Sequence, residues 1–221
     1  MWADYRLFWS QWRRRFVQTG AVAPSSRTLA RSMAGPMARR PAARIRVLEV
    51  GAGTGVFTRE ILRQMRGGDS LRIYEINPEF CDYLERVLRA SNWTQRELDV
   101  ELRRADIRSL AAGESFDFVI CGLPFNNFEP AAVAEIMQLL LGHLTENGVF
   151  SYFEYLGLRG LRQWLLRSGP EHERVRTIGA IMGELLRRHQ FRSEEVWLNL
   201  PPAATHHLAL EPARRPSLSR A

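Results

Sequence analysis

The chain has 221 residues, of which 45% are apolar and 25% charged. That is enough for one core and too apolar for a disordered, collagenous or solenoid chain. Two cysteines, Cys81 and Cys121, cannot build a disulfide framework, so a reducing, cytoplasmic compartment is expected. All 31 basic residues are arginine, which excludes chemistry that needs a Schiff-base or phosphate-binding lysine.

No run of about 18 consecutive apolar residues is present to span a bilayer. The N-terminus interleaves aromatics with arginines and lacks the continuous apolar stretch of a secretory signal. Charge is distributed unevenly. Residues 1–46 hold ten arginines and one acid, Asp4, whereas the remainder holds 21 arginines and 23 acids. A basic N-terminal fifth points to a polyanionic surface, either nucleic acid or anionic lipid.

In chain order, residues 2–17 predict an amphipathic helix. Trp2, Tyr5, Phe8, Trp9, Trp12 and Phe16 recur at three- and four-residue steps and fall within about 120° of arc. Arg6, Arg13 and Arg15 rim this stripe, and only Leu7 breaks the pattern. An aromatic stripe edged by guanidinium groups suits a helix lying in a membrane interface; packing on the domain is the alternative use of the same face. Ser25-Ser26 then caps a helix from about Arg27 to Ala34. Gly35, Pro36 and Pro41 read as a linker.

From Ile45 onward strands and helices alternate. Strands are expected at 45–50, 71–75, 100–104, 116–121, 149–154, 191–198 and 204–209. Helices are expected at 57–65, 78–90, 131–143, 159–168 and 174–189, and 212–221 reads as a loose tail. Alternation with short loops implies a mostly parallel sheet covered on both faces. Four segments follow: an interface helix (1–18), a connecting helix and linker (19–44), the α/β domain (45–211) and the tail (212–221).

The strongest chemical signal is Glu49-Val50-Gly51-Ala52-Gly53-Thr54-Gly55, an apolar strand that ends in a glycine-rich turn opening a helix. Glu75 ends the second strand, where an acid can accept both hydroxyls of a ribose. Asp106 follows the third, within reach of an adenine amino group. Together they indicate an adenosine-containing cofactor, either a nicotinamide dinucleotide or S-adenosylmethionine.

The spacing GxGxG, with Val56 where dinucleotide enzymes carry a further glycine, resembles the class I S-adenosylmethionine-dependent methyltransferases. That resemblance implies a Rossmann-like sheet of seven strands ending in an antiparallel hairpin. It also implies S-adenosylmethionine as cofactor and S-adenosylhomocysteine as product. The cofactor contacts would be Glu49, Gly51, Ala52, Gly53, Thr54, Gly55, Glu75, Ile76, Asn77, Asp106, Ile107 and Gly122. Gly122-Leu123-Pro124-Phe125 stands where amino-group methyltransferases carry a polar-X-Pro-aromatic motif. The rRNA adenine dimethyltransferases, which the chain also resembles, place Asn at the first position, here Gly122.

The blocks TGAVAPSSRTLARSMA (19–34), LEVGAGTGVFTREIL (48–62), YEINPEF (74–80), GLPF (122–125) and VWLNLPPA (196–203) occur in the order found in bacterial phospholipid N-methyltransferases, which this chain resembles from about Phe8 to Ala203. The resemblance implies stepwise methylation of phosphatidylethanolamine towards phosphatidylcholine by an enzyme on the inner face of the cell membrane. Anionic phospholipid would bind Trp2, Tyr5, Phe8, Trp9, Trp12, Arg13, Arg15 and Phe16. The lipid amine would meet Leu123, Pro124, Phe125 and Asn199. The polar run Phe125-Asn126-Asn127-Phe128 leaves an ornithine-type aminolipid as a close alternative, and an RNA base enzyme as a more distant one.

Glu154 and Tyr155, past the fifth strand, are the candidate catalytic residues for taking the amine's proton or holding the ammonium; His143 and His172 are weaker ones. His206 and His207 are expected on opposite faces of a strand, so no metal is expected there. Cys81, Cys121, Trp164 and Trp197 are expected to serve packing.

Overall fold

The computed structural model describes residues 26–40, 42–156 and 169–211. The interface helix, residues 19–25, the helix expected at 159–168 and the tail at 212–221 lie outside them.

Seven strands form one sheet in the order β3-β2-β1-β4-β5-β7-β6. They are β1 (Arg46–Val50), β2 (Ser70–Tyr74), β3 (Asp99–Arg103), β4 (Phe116–Cys121), β5 (Leu144–Tyr155), β6 (Gln190–Val196) and β7 (Ala203–Leu208). The first five pair in parallel, and β7 runs antiparallel between β5 and β6. This is the expected Rossmann-like α/β architecture with its antiparallel C-terminal hairpin.

Strand β5 starts five residues earlier than its apolar run suggests. Asn147-Gly148 is absorbed as a bulge between Phe116↔Leu144 and Phe118↔Val149 instead of ending the preceding element. Strand β6 stops at Val196, two residues short of expectation, and the chain turns outward at Trp197.

Among the described residues five α-helices flank the sheet: α1 (Arg27–Met33), α2 (Val56–Gln64), α3 (Pro78–Ala90), α4 (Pro130–Gly142) and α5 (Pro170–His189). On one face α4 and α5 cover β4 and β5 with Val133, Ile136, Met137, Leu140, Ile178 and Met182. On the other, α1, α2 and α3 contribute Leu29, Met33, Phe57, Ile61 and Leu84. Burial of the apolar face of each helix against the sheet is what holds it.

The segment read as a linker is built into this second layer. Gly35–Arg39 forms a 3-10 turn that buries Met37. Arg40 enters the core and clasps Asp69 through both guanidinium nitrogens. Asp69 also accepts from the backbone nitrogens of Ile45 (3.1 Å) and Arg66 (2.7 Å), so one buried carboxylate ties the entrance to β1 to the loop before β2. The α1 helix is likewise docked. Ser26 caps its first turn, and Ser32 Oγ donates to Glu194 Oε2 at 2.6 Å.

After β3 the chain crosses to the opposite side of β1 to form β4. The point where strand order reverses lies between the C-terminal ends of β1 and β4, where a sheet of this kind opens a crevice.

Candidate active site

At that crevice the chain leaves β1 through Gly51, Gly53 and Gly55, with φ of 70°, 52° and 70°. These left-handed values are open to glycine at little cost. The turn closes through Gly55 N–H donating to Ala52 O, and Gly55 becomes the N-cap of α2. The backbone of β4 comes equally close. A Cβ on Gly122 would stand 2.6 Å from the carbonyl oxygen of Gly51, so no larger residue fits without parting the two strand ends. Asparagine, expected there in an RNA-type enzyme, is sterically shut out.

The cleft above this junction is half open to solvent, spans about 270 Å³ counted together with the solvent at its mouth, and is lined by Val50, Gly51, Tyr74, Glu75, Ile76, Ala105, Asp106, Ile107 and Leu123. Six of the expected residues therefore line one space: Gly51, Glu75, Ile76, Asp106, Ile107 and Leu123. The walls formed by Ile76, Ala105, Ile107 and Leu123 are apolar, with one carboxylate at the floor and another at the rim.

Glu75, 1% exposed, accepts from Gly53 N–H and Asn77 N–H, both at 2.9 Å. Burial raises its pKa, and the backbone donors of Asn77, Gly53 and Ile76 offset part of that rise. Asn77 serves this site indirectly. Its own Oδ1 caps α3 by accepting from Glu79 and Phe80. Asp106 is held by Arg108, whose Nε (3.0 Å) and Nη2 (2.6 Å) reach its two oxygens. Burial pushes its pKa up, but the bonds and charge of Arg108 outweigh that and leave it below the ordinary value.

Glu49 is fully buried beneath the loop, and burial pushes its pKa up to about 8 despite a hydrogen bond from Thr58 Oγ1. Its other oxygen, Oε2, has no hydrogen-bond partner among the described residues. A buried acceptor without a donor is costly, and here it lies under a loop whose glycines keep the backbone open. Of the remaining expected contacts, Thr54 is exposed on the rim and Ala52 is packed in the core.

Beyond the cleft, Leu123-Pro124-Phe125 makes an inverse γ-turn: Phe125 N–H donates to Leu123 O at 3.0 Å across Pro124 (φ −81°, ψ 77°). It turns the Phe125 ring inward, 6.3 Å from that of Tyr152. Tyr152 in turn stacks on His206 at 5.0 Å, across the pairing of β5 with β7. His206 Nδ1 lies 2.9 Å from Gln190 Oε1, and its Nε2 lies 3.4 Å from Glu154 Oε1, an ion-pair distance too long for a well-made hydrogen bond.

The two candidate catalytic residues are not brought together. Successive strand residues face opposite ways, and Tyr155 packs edge-on against Phe153 on the α1–α2 side. Burial lifts its phenol to about 12, so it is a poor proton acceptor. Asn199 is spent on the fold. Its Oδ1 accepts from Ser26 N–H (2.8 Å) and its Nδ2 donates to Pro201 O (2.7 Å). His207 faces away from His206, with its Nδ1 2.8 Å from Ser151 Oγ, and burial holds it neutral with a pKa of about 4.

Cys81 and Cys121 are buried core residues, whereas Trp197 is 67% exposed and packs nothing. No group of three His, Cys, Asp or Glu that could hold a metal occurs among the described residues. Arg108 and His206 were missed from sequence. The Asp-x-Arg spacing could have revealed the first; the second depends on strand register.

A family model described as a methyltransferase domain matches residues 47–148, the span from β1 through the first part of β5. Residues 47–148 form a methyltransferase domain. The enzyme uses S-adenosylmethionine, and the cleft fits it: an open glycine turn, a buried acid held by backbone donors, apolar walls and an orphaned buried carboxylate oxygen.

The chain is 28% identical over 153 residues to an ornithine lipid N-methyltransferase from Singulisphaera acidiphila, covering 67% of this chain and 76% of that protein. Among solved structures it is similar to an S-adenosylmethionine-dependent methyltransferase from Clostridium acetobutylicum (TM-score 0.61, 13% identity, 94% and 99% of the two chains). It is also similar to an O-methyltransferase from Bacillus cereus in complex with S-adenosylhomocysteine (TM-score 0.59, 13% identity, 91% and 90%). At these identities the structural likeness speaks for the fold. Among the described residues no helix of the methyltransferase is long and apolar enough to cross a membrane.

Proposed function

We infer that this methyltransferase N-methylates the headgroup amine of a membrane aminolipid. The observation that carries the substrate class is the similarity to the ornithine lipid enzyme. It favours an ornithine-type headgroup, with phosphatidylethanolamine, the headgroup expected from the sequence blocks, as the competing substrate. The aromatic and arginine-rich stripe within residues 1–18 supports peripheral attachment to anionic lipid on the cytoplasmic face, and the closed position at Gly122 speaks against an RNA base.

When bound, S-adenosylmethionine supplies an electrophilic methyl group on a sulfonium. The chain's own residues have to bind, orient and deprotonate. Glu75 would accept the ribose hydroxyls while its backbone donors fix its orientation. Asp106, steadied by Arg108, would take the adenine amino group. Glu49, which holds a proton in the native protein at neutral pH, would have to release it before Oε2 could accept from a cationic donor near the glycine turn.

The lipid amine carries a proton at neutral pH, with an alkylammonium pKa near ~10.4, and must release it before the nitrogen can attack. Glu154 is the acceptor on the face shared with Phe125 and Tyr152, and His206 Nε2 lies beside it to share the proton. With Gln190 Oε1 at Nδ1, the imidazole presents its other nitrogen to Glu154.

The test is incubation with radiolabelled S-adenosylmethionine and vesicles of phosphatidylglycerol carrying either ornithine lipid or phosphatidylethanolamine, followed by chromatography of the organic extract. Label in methylated ornithine lipid is the expected result. Label only in phosphatidylethanolamine derivatives reverses the headgroup preference. No lipid label from cofactor-binding protein ends the aminolipid reading.

A further inference from the structure

Five large apolar side chains are exposed among the described residues, and three of them fall within four positions of the β6–β7 loop: Trp197 (67%), Leu198 (82%) and Leu200 (71%). The residue between them, Asn199, is 3% exposed. Its bonds to Ser26 and Pro201, with Asn199 N–H donating to Val196 O, hold the loop in shape while its neighbours point to water. Single exposed apolar residues are ordinary, but a fixed cluster of this kind marks an interaction surface.

Its location is informative. Strand β7 begins at Ala203, which pairs with Tyr155, and Leu156 N–H donates to Pro202 O at 2.8 Å. The loop therefore stands at the C-terminal edge of the parallel strands, the edge that bears the cleft and Glu154. Its anchor Ser26 is where the described chain begins, and the sequence of the 25 preceding residues holds six aromatics at three- and four-residue spacing together with four arginines. Immediately after Ser26, Arg27 and Arg31 are exposed on α1. An apolar tip beside basic side chains matches the layering of an anionic bilayer, with hydrocarbon beneath phosphate.

We propose that the Trp197–Leu200 loop inserts into the headgroup region of an anionic bilayer and seats the cleft-bearing edge of the sheet on the lipid surface. The loop then acts as a membrane contact in addition to any made by the N-terminal segment, and orients the enzyme so that a headgroup amine reaches Glu154 without the lipid leaving the membrane. This rests on the aminolipid reading for its purpose, but it is tested separately.

The full-length chain with Leu198→Cys carries an environment-sensitive fluorophore at that position, since Cys81 and Cys121 are buried. With vesicles of phosphatidylglycerol and phosphatidylethanolamine the label is expected to shift to the blue and to be quenched by lipids spin-labelled near the headgroup. The unlabelled variant Leu198→Ser/Leu200→Ser is expected to lose vesicle binding several-fold while methylating detergent-dispersed aminolipid at the wild-type rate.

A label that stays aqueous on vesicle-bound protein, or a protein that never binds vesicles, overturns the proposal. So does a blue-shifted label without vesicles. Independence from protein concentration would mean that the N-terminal segment covers the loop, and dependence on it a second copy of the chain. Membrane burial of the label without methylation of any aminolipid, in vesicles or detergent, would leave the surface standing and sink the substrate reading.

Discussion

Replacing Gly122 with alanine adds one methyl group where two strand ends meet. The new Cβ would lie 2.6 Å from Gly51 O and 3.2 Å from the Phe57 ring. An ordinary carbon–oxygen contact is about 3.3 Å or more, so the ends of β1 and β4 must separate by roughly 0.7 Å. Neither end yields easily, because Gly122 N–H donates to Val50 O and Gly51 N–H to Tyr74 O, both at 2.8 Å. Overpacking of this kind costs about 1–3 kcal/mol, and the displaced atoms are those that line the cleft.

Gly122→Ala should therefore lower the urea midpoint and weaken S-adenosylhomocysteine binding roughly tenfold, as 1.4 kcal/mol requires. The control is the same chemical change at Gly142, the last residue of α4, where a Cβ meets nothing within 4 Å. There alanine should stabilise by up to ~1 kcal/mol through helix propensity and leave binding alone. Urea unfolding followed by circular dichroism, with calorimetry for the ligand, reads both. A Gly122→Ala protein with the wild-type midpoint and an affinity within a factor of two would refute the steric reasoning.

Glu75→Ala removes an acceptor that holds two backbone donors and, in the proposed role, the ribose hydroxyls; at about 1.5–3 kcal/mol for each bond to a charged group, calorimetric affinity for the cofactor should fall by a hundredfold or more, and an unchanged affinity would take Glu75 out of that role. Glu49 titrates near 4.5 when unfolded and at about 8 in the fold, so the native state holds a proton that the unfolded chain releases. Stability is then full below pH 4.5 and lost as pH rises through about 8, by a few kcal/mol in all at 1.36 per unit. In Glu49→Gln the part of the slope due to Glu49 should be lost, and slopes parallel to wild type in urea melts between pH 5 and 9 would contradict the assignment. Arg40→Met leaves Asp69, fully buried, without its cation; an uncompensated buried charge costs about 3–5 kcal/mol, and Arg40→Met/Asp69→Asn should recover part of the loss in the same melts.

Where a signal is local, it was legible before the fold. The glycine turn declares itself because three residues in five need left-handed backbone angles, and Glu75 and Asp106 follow because each comes within three residues of the end of a strand. The alternation of elements determined the sheet class, since a parallel pair needs a crossover helix. Misreadings arose where a contact runs across the chain. The Gly-Pro-rich run before β1 looked like a linker because nothing nearby shows that Met37 and Arg40 meet a core and an aspartate 29 positions on. Asn199 looked like a substrate contact because its bond to Ser26 spans 173 positions. The hairpin register placed His206 beside Glu154, and pairing register is a property of two strands; that Tyr155 faces the other way follows from alternation along β5 alone. The sequence by itself thus determined the cofactor cleft, whose parts lie within a few residues of successive strand ends. The tertiary structure alone decided the acceptor side and the exposed β6–β7 tip, because there the neighbours are chosen by how the last two strands fold back on the sheet.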